Sequence, residues 1–253
     1  MTTTRALSTS RFKLRWNSWD IITIIAFIFI ILFMVYPLFN IFLNSFFYEG
    51  SFNFSHYKDF FTLKYYYSSL TNSLLVCGLA TIFAICIGFP MAYLLTRFDL
   101  PFKKTIHILI ILTLLSPPFI GAYSWILILG NNGFLTNFLH SIGLNTPSIY
   151  GLHGMIWVFT VQFYPHIYLY VSGALKTMDS SLEEASESLG SNKLRKLRTV
   201  TLPLIFPTLS TGALMVFMAS FADFGTPMLL GQGIMLLPIL AYEQFINEMG
   251  SNP

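Results

Sequence analysis

Side chains that could carry out chemistry are few in this sequence, and they are scattered. Asp223 lies at the end of one apolar run, and His153 and His166 lie inside another. A catalytic site needs an acid, a base or a nucleophile at a characteristic spacing, and the sequence contains no HExxH, CxxC or GxSxG pattern. It also contains no GxxxxGKS/T loop, so any ATP chemistry must come from another chain. We therefore expect no catalytic residue, no metal ligand set and no cofactor on this chain.

The densest group of polar side chains lies between two apolar runs, at residues 184–203, which read EASESLGSNKLRKLRTVTLP. Asp179, Ser180 or Ser181 can cap a first helix. Gly190 can end it, because glycine readily adopts the left-handed conformation that follows a helix. Ser191 or Asn192 can cap a second helix, which carries the basic residues Lys193, Arg195, Lys196 and Arg198. The pattern predicts two short helices at an angle, joined at a glycine, and we call residues 179–203 the elbow.

Two interpretations of the elbow are open at this point. In the first, it is a solvated loop whose basic residues merely follow the charge bias of membrane proteins. In the second, it is a docking element for another protein. The small residues Ala185, Ser186 and Ser188 on the first helix favour docking, because small side chains allow another surface to approach closely.

Long apolar helices must position the elbow. Of the 253 residues, 55% are hydrophobic and only 10% are charged, whereas a soluble domain contains roughly 25% charged residues. About 20 consecutive apolar residues in a helix cross the hydrocarbon core of a membrane. We therefore predict an all-α, polytopic transmembrane bundle with five spans, near residues 21–47, 70–96, 105–129, 150–174 and 203–221.

The basic residues predict the orientation of these spans. If the N-terminus is cytoplasmic and five spans alternate, only Lys58 and Lys64 of the 14 Lys and Arg residues lie outside, which leaves twelve inside. Cytoplasmic loops of membrane proteins carry such an excess of Lys and Arg. We therefore predict a cytoplasmic N-terminal segment at residues 1–20, a transmembrane domain at 21–253 and a cytoplasmic loop at 175–202 within it.

The elbow resembles the EAA loop of binding-protein-dependent ABC importer permeases. That pattern reads Glu-Ala-Ala, three residues, Gly, nine residues, Ile, one residue and Leu-Pro. The chain matches this spacing throughout, with Ser in place of the second Ala and Val in place of Ile. The matching residues are Glu184, Ala185, Ser186, Gly190, Val200, Leu202 and Pro203.

The resemblance implies a fold and a set of partners. The fold is the MetI-like, type I permease bundle, in the plasma (inner) membrane of a bacterium and surrounded by membrane lipid. The elbow would dock on a dimer of separate ABC ATPase subunits, which bind ATP and Mg²⁺, while an extracytoplasmic binding protein delivers the solute. Gly190 would set the angle between the two helices, and Glu184 would contact the ATPase. No nucleic-acid partner is implied.

The segment after the fifth span gives information on the number of spans and on the transported solute. The family's core has a sixth span, which the sequence lacks, because Gly225, Pro227, Gly231, Gly233 and Pro238 interrupt the apolar part between 223 and 243. This part therefore predicts an outer or re-entrant segment. The DFGTPMLLG stretch looks most like the N-terminal half of fused iron(III) importer permeases. Ferric iron is thus the expected cargo, with polyamine, phosphonate, thiamine or sulfate as alternatives, and a second permease half, fused or separate, is an expected partner.

Polar residues inside or beside the spans are candidates for the translocation pathway. Each could instead make a hydrogen bond between helices, and both interpretations are open. An ion-coupled secondary transporter is a further alternative, which predicts acidic or basic residues inside the spans, and the first four spans contain none. Asp223 is the acidic residue near a span end, and ionisable residues at such positions often act in transport. The pathway candidates are Asn72, Tyr123, Tyr164, His166 and Asp223.

Overall fold

The structure is a computed structural model that describes residues 18–48, 51–145 and 147–250. The chain divides into two compact units, Met1–Thr62 and Leu63–Pro253, which we describe separately. Helices dominate both units, which confirms the predicted all-α class. The predicted N-terminal segment 1–20 lies almost wholly outside the described residues.

The first unit contains one long apolar helix and a short second one. Helix α1 runs over Ser18–Phe46 and includes a π-helical turn at Ile31–Val35. The turn lies just before Pro37, whose missing N–H leaves an earlier carbonyl without its usual partner. The unit continues through an antiparallel pair of two-residue strands, β1 (Phe47–Tyr48) and β2 (Ser51–Phe52), to α2 (Ser55–Thr62).

The second unit is built around three long helices. Helix α3 packs along α7, and α9 packs against both of them. Shorter helices lie between these three and after them. The elements in chain order are α3 (Lys64–Arg97), α4 (Lys103–Leu114), α5 (Pro118–Leu129), α6 (Phe134–Ser141), α7 (Leu152–Thr177), α8 (Ser180–Ser188), α9 (Lys193–Ala222), α10 (Gly225–Leu230) and α11 (Leu237–Gly250).

Small residues allow α3 and α7 to approach each other closely. Ala80, Ala84 and Ala92 are spaced along one face of α3 and are fully buried. Gly88 lies on the same face, where an added Cβ would come within 2.7 Å of both the Ile167 Cβ and the Tyr164 carbonyl oxygen. Small residues commonly line helix contacts in membranes, because no large apolar side chain can fit between the backbones.

The predicted spans correspond to helices, with one exception. Helices α1, α3 and α9, of 29, 34 and 30 residues, are long and apolar enough to cross a membrane. Helix α7 covers the predicted fourth span with 26 residues. It is less apolar, and much of it is buried in the core between its neighbours.

The predicted third span at residues 105–129 is broken near its middle. The segment forms two helices, α4 and α5, and the axis of α4 makes an angle of 110° with that of residues Phe119–Ser141, which comprise most of α5 together with α6. The prolines Pro117 and Pro118 explain the break, since proline lacks the N–H that a helix needs and disfavours helical geometry in the residue before it. The two helices nevertheless both lie beside α7, and the chain runs towards the start of α7 as it passes from α4 to α5. His107 lies beside Tyr168, and Trp125 lies beside Trp157, eleven residues nearer the start of α7.

The segment that follows Asp223 contains no straight span among the residues that the structure describes, as its glycines and prolines predict. Helix α10 has six residues, and a turn with Gly233 at a φ of +75° leads to α11, of 14 residues. Helix α11 packs against α3 and α9. The same segment therefore closes one end of the bundle.

Candidate coupling site

The elbow consists of the two helices that the sequence predicts. Helix α8 begins after Asp179, whose carboxylate accepts a hydrogen bond from the Ser181 backbone N–H at 2.9 Å. Helix α9 begins after Asn192, whose side-chain oxygen accepts one from the Arg195 N–H at 2.8 Å. Both caps satisfy N–H groups that have no partner within their own helix. Asn192, rather than Ser191, is thus the second cap.

A glycine in the left-handed conformation joins the two helices. Gly190 has a φ of +81°, and its N–H donates to the Glu187 carbonyl at 2.9 Å. The next N–H, of Ser191, donates to the Ser186 carbonyl at 3.1 Å. These two bonds form a Schellman motif, which ends a helix with a residue in this conformation. The turn therefore has a defined angle that depends on glycine.

An apolar groove of about 470 Å³ lies between the two arms of the elbow. It brings together four of the residues that the sequence assigned to this site, one pair from each arm. Leu189 also lines it and is 88% exposed, which leaves a large apolar side chain open to a partner. The lining residues are Leu182, Ala185, Ser186, Leu189, Ser191, Thr199, Val200, Pro203 and Leu204.

Of the other three predicted residues, Gly190 forms the turn, and Glu184 and Leu202 lie outside the groove. Glu184 is exposed, and its carboxylate forms no ion pair with any residue that the structure describes. Its negative charge is therefore available to a partner. Leu202 is half-buried and packs against the hydrophobic core. Leu202 thus attaches the elbow to the bundle, while Glu184 faces away from it.

Glu183 is a residue of the site that sequence reasoning missed. It is only 7% exposed, and its Oε1 accepts hydrogen bonds from Arg97 Nη2 and from Thr201 Oγ1, both at 3.0 Å. Arg97 lies at the end of α3, and Thr201 lies on α9, so one carboxylate connects α8 to two long helices. The sequence offered one signal, a lone arginine at the end of an apolar run.

A second ion pair closes the elbow from outside. The Lys196 ammonium donates to the Glu187 carboxylate, which connects the α9 arm to the α8 arm. This hydrogen bond lowers the pKa of Glu187 below its ordinary value. Glu187 is 55% exposed, so solvent weakens the contribution of this pair. The two arms are therefore joined by a turn, by a surface pair and, through Glu183, by the core.

Asp223 takes part in a local cap. It is 7% exposed, and its two carboxylate oxygens accept bonds from the Thr226 N–H at 3.1 Å and the Thr226 hydroxyl at 2.9 Å. These bonds stabilise the first turn of α10. The arrangement accounts for Asp223 structurally, and its role as a gate stays a prediction.

The structure does not bring the pathway candidates into one site. Asn72 lines a cavity between α3 and the segment after α9. Tyr123 is exposed on α5, and Tyr164 and His166 are half-buried on α7; none of these three lines that cavity. His166 Nδ1 lies 3.3 Å from the Phe163 carbonyl of its own helix. A pathway role for these residues stays a prediction.

Comparison with known protein sequences identifies relatives of this chain. Over 204 residues the chain is 32% identical to FbpB 1 of Haemophilus influenzae, which is named as a ferric transport system permease protein; the alignment covers 80% of this chain and 32% of that protein. It is also 32% identical, over 236 residues, to the ferric transport system permease protein FbpB of Actinobacillus pleuropneumoniae, covering 90% of this chain and 34% of the relative. The chain thus spans about a third of the length of both.

A third relative is named for the transport of a different solute. The spermidine/putrescine transport system permease protein PotB of Haemophilus influenzae is 28% identical over 197 residues, covering 77% of this chain and 68% of the relative.

The fold has a counterpart among solved structures. A chain from a crystal structure of a bacterial alginate ABC transporter, in complex with an alginate pentasaccharide-bound periplasmic protein, superimposes with a TM-score of 0.73. The match covers 91% of this chain and 84% of that one at 17% identity, and therefore supports the fold alone. Residues 84–251 match the model of one family, described as the binding-protein-dependent transport system inner membrane component. That match covers well over half of the chain, which therefore belongs to this family of inner membrane transport components.

Proposed function

We propose that the chain is a membrane-spanning permease subunit of an ATP-binding-cassette importer. The subunit carries no catalytic site and takes energy from ATP that a separate ATPase dimer hydrolyses. Closure of that dimer moves the elbow, and the movement passes to α3 and α9 because packed helices shift as rigid bodies. The pathway between the helices then opens to the other face.

The observation that carries this proposal is the groove of the elbow. The turn at Gly190 fixes its two arms, and its lining is mostly apolar. The exposed Glu184 precedes Ala185 of the groove in the sequence. A solvated loop needs neither a defined angle nor an apolar groove. A docking element for another protein needs both, because a rigid and complementary surface lowers the entropy cost of binding.

The charge distribution supports a cytoplasmic elbow and N-terminus. Arg97 binds Glu183, and Lys193 lies over the ring of Phe98 at 5.9 Å, so basic residues from two helices gather at the elbow end of α3. The predicted outer residues Lys58 and Lys64 lie before or at the start of α3. Four further basic residues on which this orientation depends, Arg5, Arg11, Lys13 and Arg15, lie outside the described residues.

The proposed cargo is ferric iron. Two relatives named for ferric transport are 32% identical to the chain, against 28% for the relative named for spermidine and putrescine. Because the chain spans about a third of the ferric relatives, a second permease half, fused or separate, completes the pathway in this proposal. An external binding protein delivers the cargo. Polyamine is the alternative cargo that a relative's name favours.

The coupling part of the proposal is tested by affinity purification of the membrane complex. The wild-type chain is expected to recover an ATP-binding subunit. Gly190→Pro, which cannot adopt the positive φ of the turn, and Glu184→Lys, which reverses the exposed charge, are expected to abolish that recovery. Matched controls are Gly143→Pro, at a second glycine with a φ of +80°, and Asp59→Lys, an exposed residue of the predicted outer loop.

Transport measurements complete the test. Membrane vesicles that contain the complex are expected to take up iron(III) in an ATP-dependent manner when the binding protein is supplied, and to show no uptake of spermidine. Normal transport without any ATP-binding partner would contradict the proposal. Uptake of spermidine in place of iron would leave the coupling role intact and replace the cargo.

A further inference from the structure

A cavity of about 570 Å³ lies at the end of α3 opposite to the elbow. It is enclosed by the first turns of α3, by α10 and the turn after it, and by α11. Apolar side chains form part of its wall, together with six residues that bear oxygen in their side chains. These six are Tyr65, Ser68, Asn72, Gln232, Tyr242 and Glu243.

Five of the six polar residues come from α3 and α11, and Gln232 comes from the turn between α10 and α11. Tyr65, Ser68 and Asn72 are three and four residues apart, which places them on one face of α3. Tyr65 Oη donates a hydrogen bond to Glu243 Oε2 at 2.9 Å, and this bond connects α3 to α11. The cavity therefore has a phenol and a carboxylate in contact at its edge.

The chemistry of the lining selects one class of ligand. Glu243 is negatively charged, and none of the described residues around the cavity is Lys, Arg or His. Hard cations prefer oxygen ligands, whereas softer metals prefer imidazole or thiolate. Nowhere in the described part of the chain do three His, Cys, Asp or Glu residues come together as a metal site. A cation that enters this cavity would therefore meet one carboxylate beside phenol, hydroxyl and amide oxygens.

The spacing of the phenol and carboxylate oxygens suits such a cation. Two adjacent ligands of an octahedral ion, each at about 2.1 Å as for Mg²⁺, lie about 3.0 Å apart. The Tyr65 and Glu243 oxygens are 2.9 Å apart. A cation can thus replace the shared proton with little movement of either side chain.

We propose that Tyr65 and Glu243 form a transit site for the ferric ion at the mouth of the permease; this rests on the proposed function. On binding, the Tyr65 phenol loses its proton to water, and the phenolate and the Glu243 carboxylate each donate an oxygen lone pair to Fe³⁺. Iron stays in the same oxidation state throughout. Water fills the remaining positions. Few protein ligands give weak binding, which allows the ion to move on.

The site is tested by visible absorption, because an iron(III) phenolate absorbs visible light through charge transfer and a carboxylate complex does not show this band. The purified complex, with all its subunits, is titrated with ferric citrate. A saturable band is expected for the wild type, and Tyr65→Phe is expected to remove it. Glu243→Gln is expected to retain the band and weaken binding at least tenfold. Tyr67→Phe is the control, since Tyr67 is 49% exposed and does not line the cavity.

Each outcome decides the proposal. Absence of a band in the wild type, or a band that persists unchanged in Tyr65→Phe, overturns it. Recovery of the ATPase with each variant shows that the bundle is folded. If Tyr65→Phe fails to assemble, Glu243→Gln still tests the site, because unchanged binding in that variant overturns it. ATP-dependent iron uptake without any band rejects the site and keeps the proposed function. Spermidine uptake without iron uptake rejects the proposed cargo itself.

Discussion

The two ends of α3 make contacts of nearly equal length in opposite surroundings. At one end Arg97 binds Glu183 at 3.0 Å, and at the other Tyr65 binds Glu243 at 2.9 Å. Tyr65 and Arg97 are 32 positions apart, which corresponds to about 48 Å along the helix. Glu183 is 7% exposed, while Tyr65 is 46% exposed and borders a cavity of about 570 Å³.

Because the two contacts differ in exposure, they differ in how easily they separate. A buried ion pair resists separation, because parting its members leaves an unpaired charge away from water. An exposed hydrogen bond exchanges with water at a small cost in free energy. The elbow end of α3 is therefore held firmly to α8 and α9, whereas the cavity end can part from α11. A movement imposed at the elbow can thus separate α3 from α11 at the cavity.

The largest predicted effect comes from breaking the buried pair. Removing one member of such a pair costs about 3–5 kcal/mol, and the partial exposure of Arg97 places the expected cost near the lower value. Arg97→Gln and Glu183→Gln are each expected to lower the melting temperature of the purified complex. They are also expected to reduce the amount of cargo moved per ATP hydrolysed, because α8 is no longer tied to α3.

The control for this prediction is Lys103→Gln. Lys103 pairs with Asp99 at 3.8 Å, and both side chains are solvent-exposed, so little change is expected. The double variant Arg97→Glu with Glu183→Arg is expected to recover part of the lost transport. An unchanged ratio of transport to hydrolysis in both single variants would show that the pair does not carry movement.

A second prediction concerns the rigidity of α3 between its two ends. In Gly88→Ala the new Cβ would come within 2.7 Å of the Ile167 Cβ and of a backbone oxygen on α7, so the helices must separate. Overpacking of this kind costs about 1–3 kcal/mol. We expect a lower melting temperature and weaker transport, with the ATPase still bound at the elbow.

Gly78→Ala is the matched control on the same helix. Nothing lies within 4 Å of a Cβ added at Gly78, and alanine favours a helix over glycine by about 1 kcal/mol. This variant is expected to be as stable as the wild type or more stable. Equal behaviour of the two variants would show that the close contact between α3 and α7 is unimportant.

Local signals allowed the elbow to be predicted from sequence. Asp179 and Gly190 act through bonds to residues within a few positions, so their types and spacing determined the two helix ends. The motif match then selected Ala185 and Val200, which the structure places in one groove. The all-α class followed from the length and polarity of the apolar runs.

Contacts between distant residues escaped prediction. Glu183 lies 86 positions from Arg97, and no periodic pattern in a single sequence connects them. The adjacent Glu184 has the same side chain and remains exposed, so residue type alone could not separate the two. The break at Pro117 was visible in the sequence, but prolines also occur inside continuous helices such as α3, at Pro90. A proline alone therefore does not predict whether a helix breaks.

A third and smaller effect is expected from the turn of the elbow. In Gly190→Ala no atom would clash with the new Cβ, but the φ of +81° is strained for any residue with a side chain. The left-handed conformation costs such a residue about 1–2 kcal/mol. We expect weaker recovery of the ATPase in affinity purification. Gly190→Asn is expected to retain more, because asparagine adopts this conformation more easily, and equal loss in both variants would argue against backbone strain as the cause.

The smallest predicted effect concerns the exposed Lys196–Glu187 pair of the elbow, in contrast to the buried Arg97–Glu183 pair. The hydrogen bond from Lys196 lowers the pKa of Glu187 in the folded state, so its contribution to stability is present above the ordinary glutamate pKa of about 4.3. It is lost as the pH falls through the lower, folded-state pKa. Glu187→Gln is therefore expected to lower the melting temperature slightly at pH 7, with the difference from wild type vanishing in acid. High salt should also reduce the difference, because ions screen exposed pairs. Glu184→Gln, at a carboxylate with no ion pair among the described residues, is the control for the effect of salt and should show none. A difference that persisted in acid would mean that Glu187 stabilises the elbow through packing and not through its charge. Glu187 would then not be an example of a weak, solvent-exposed ion pair.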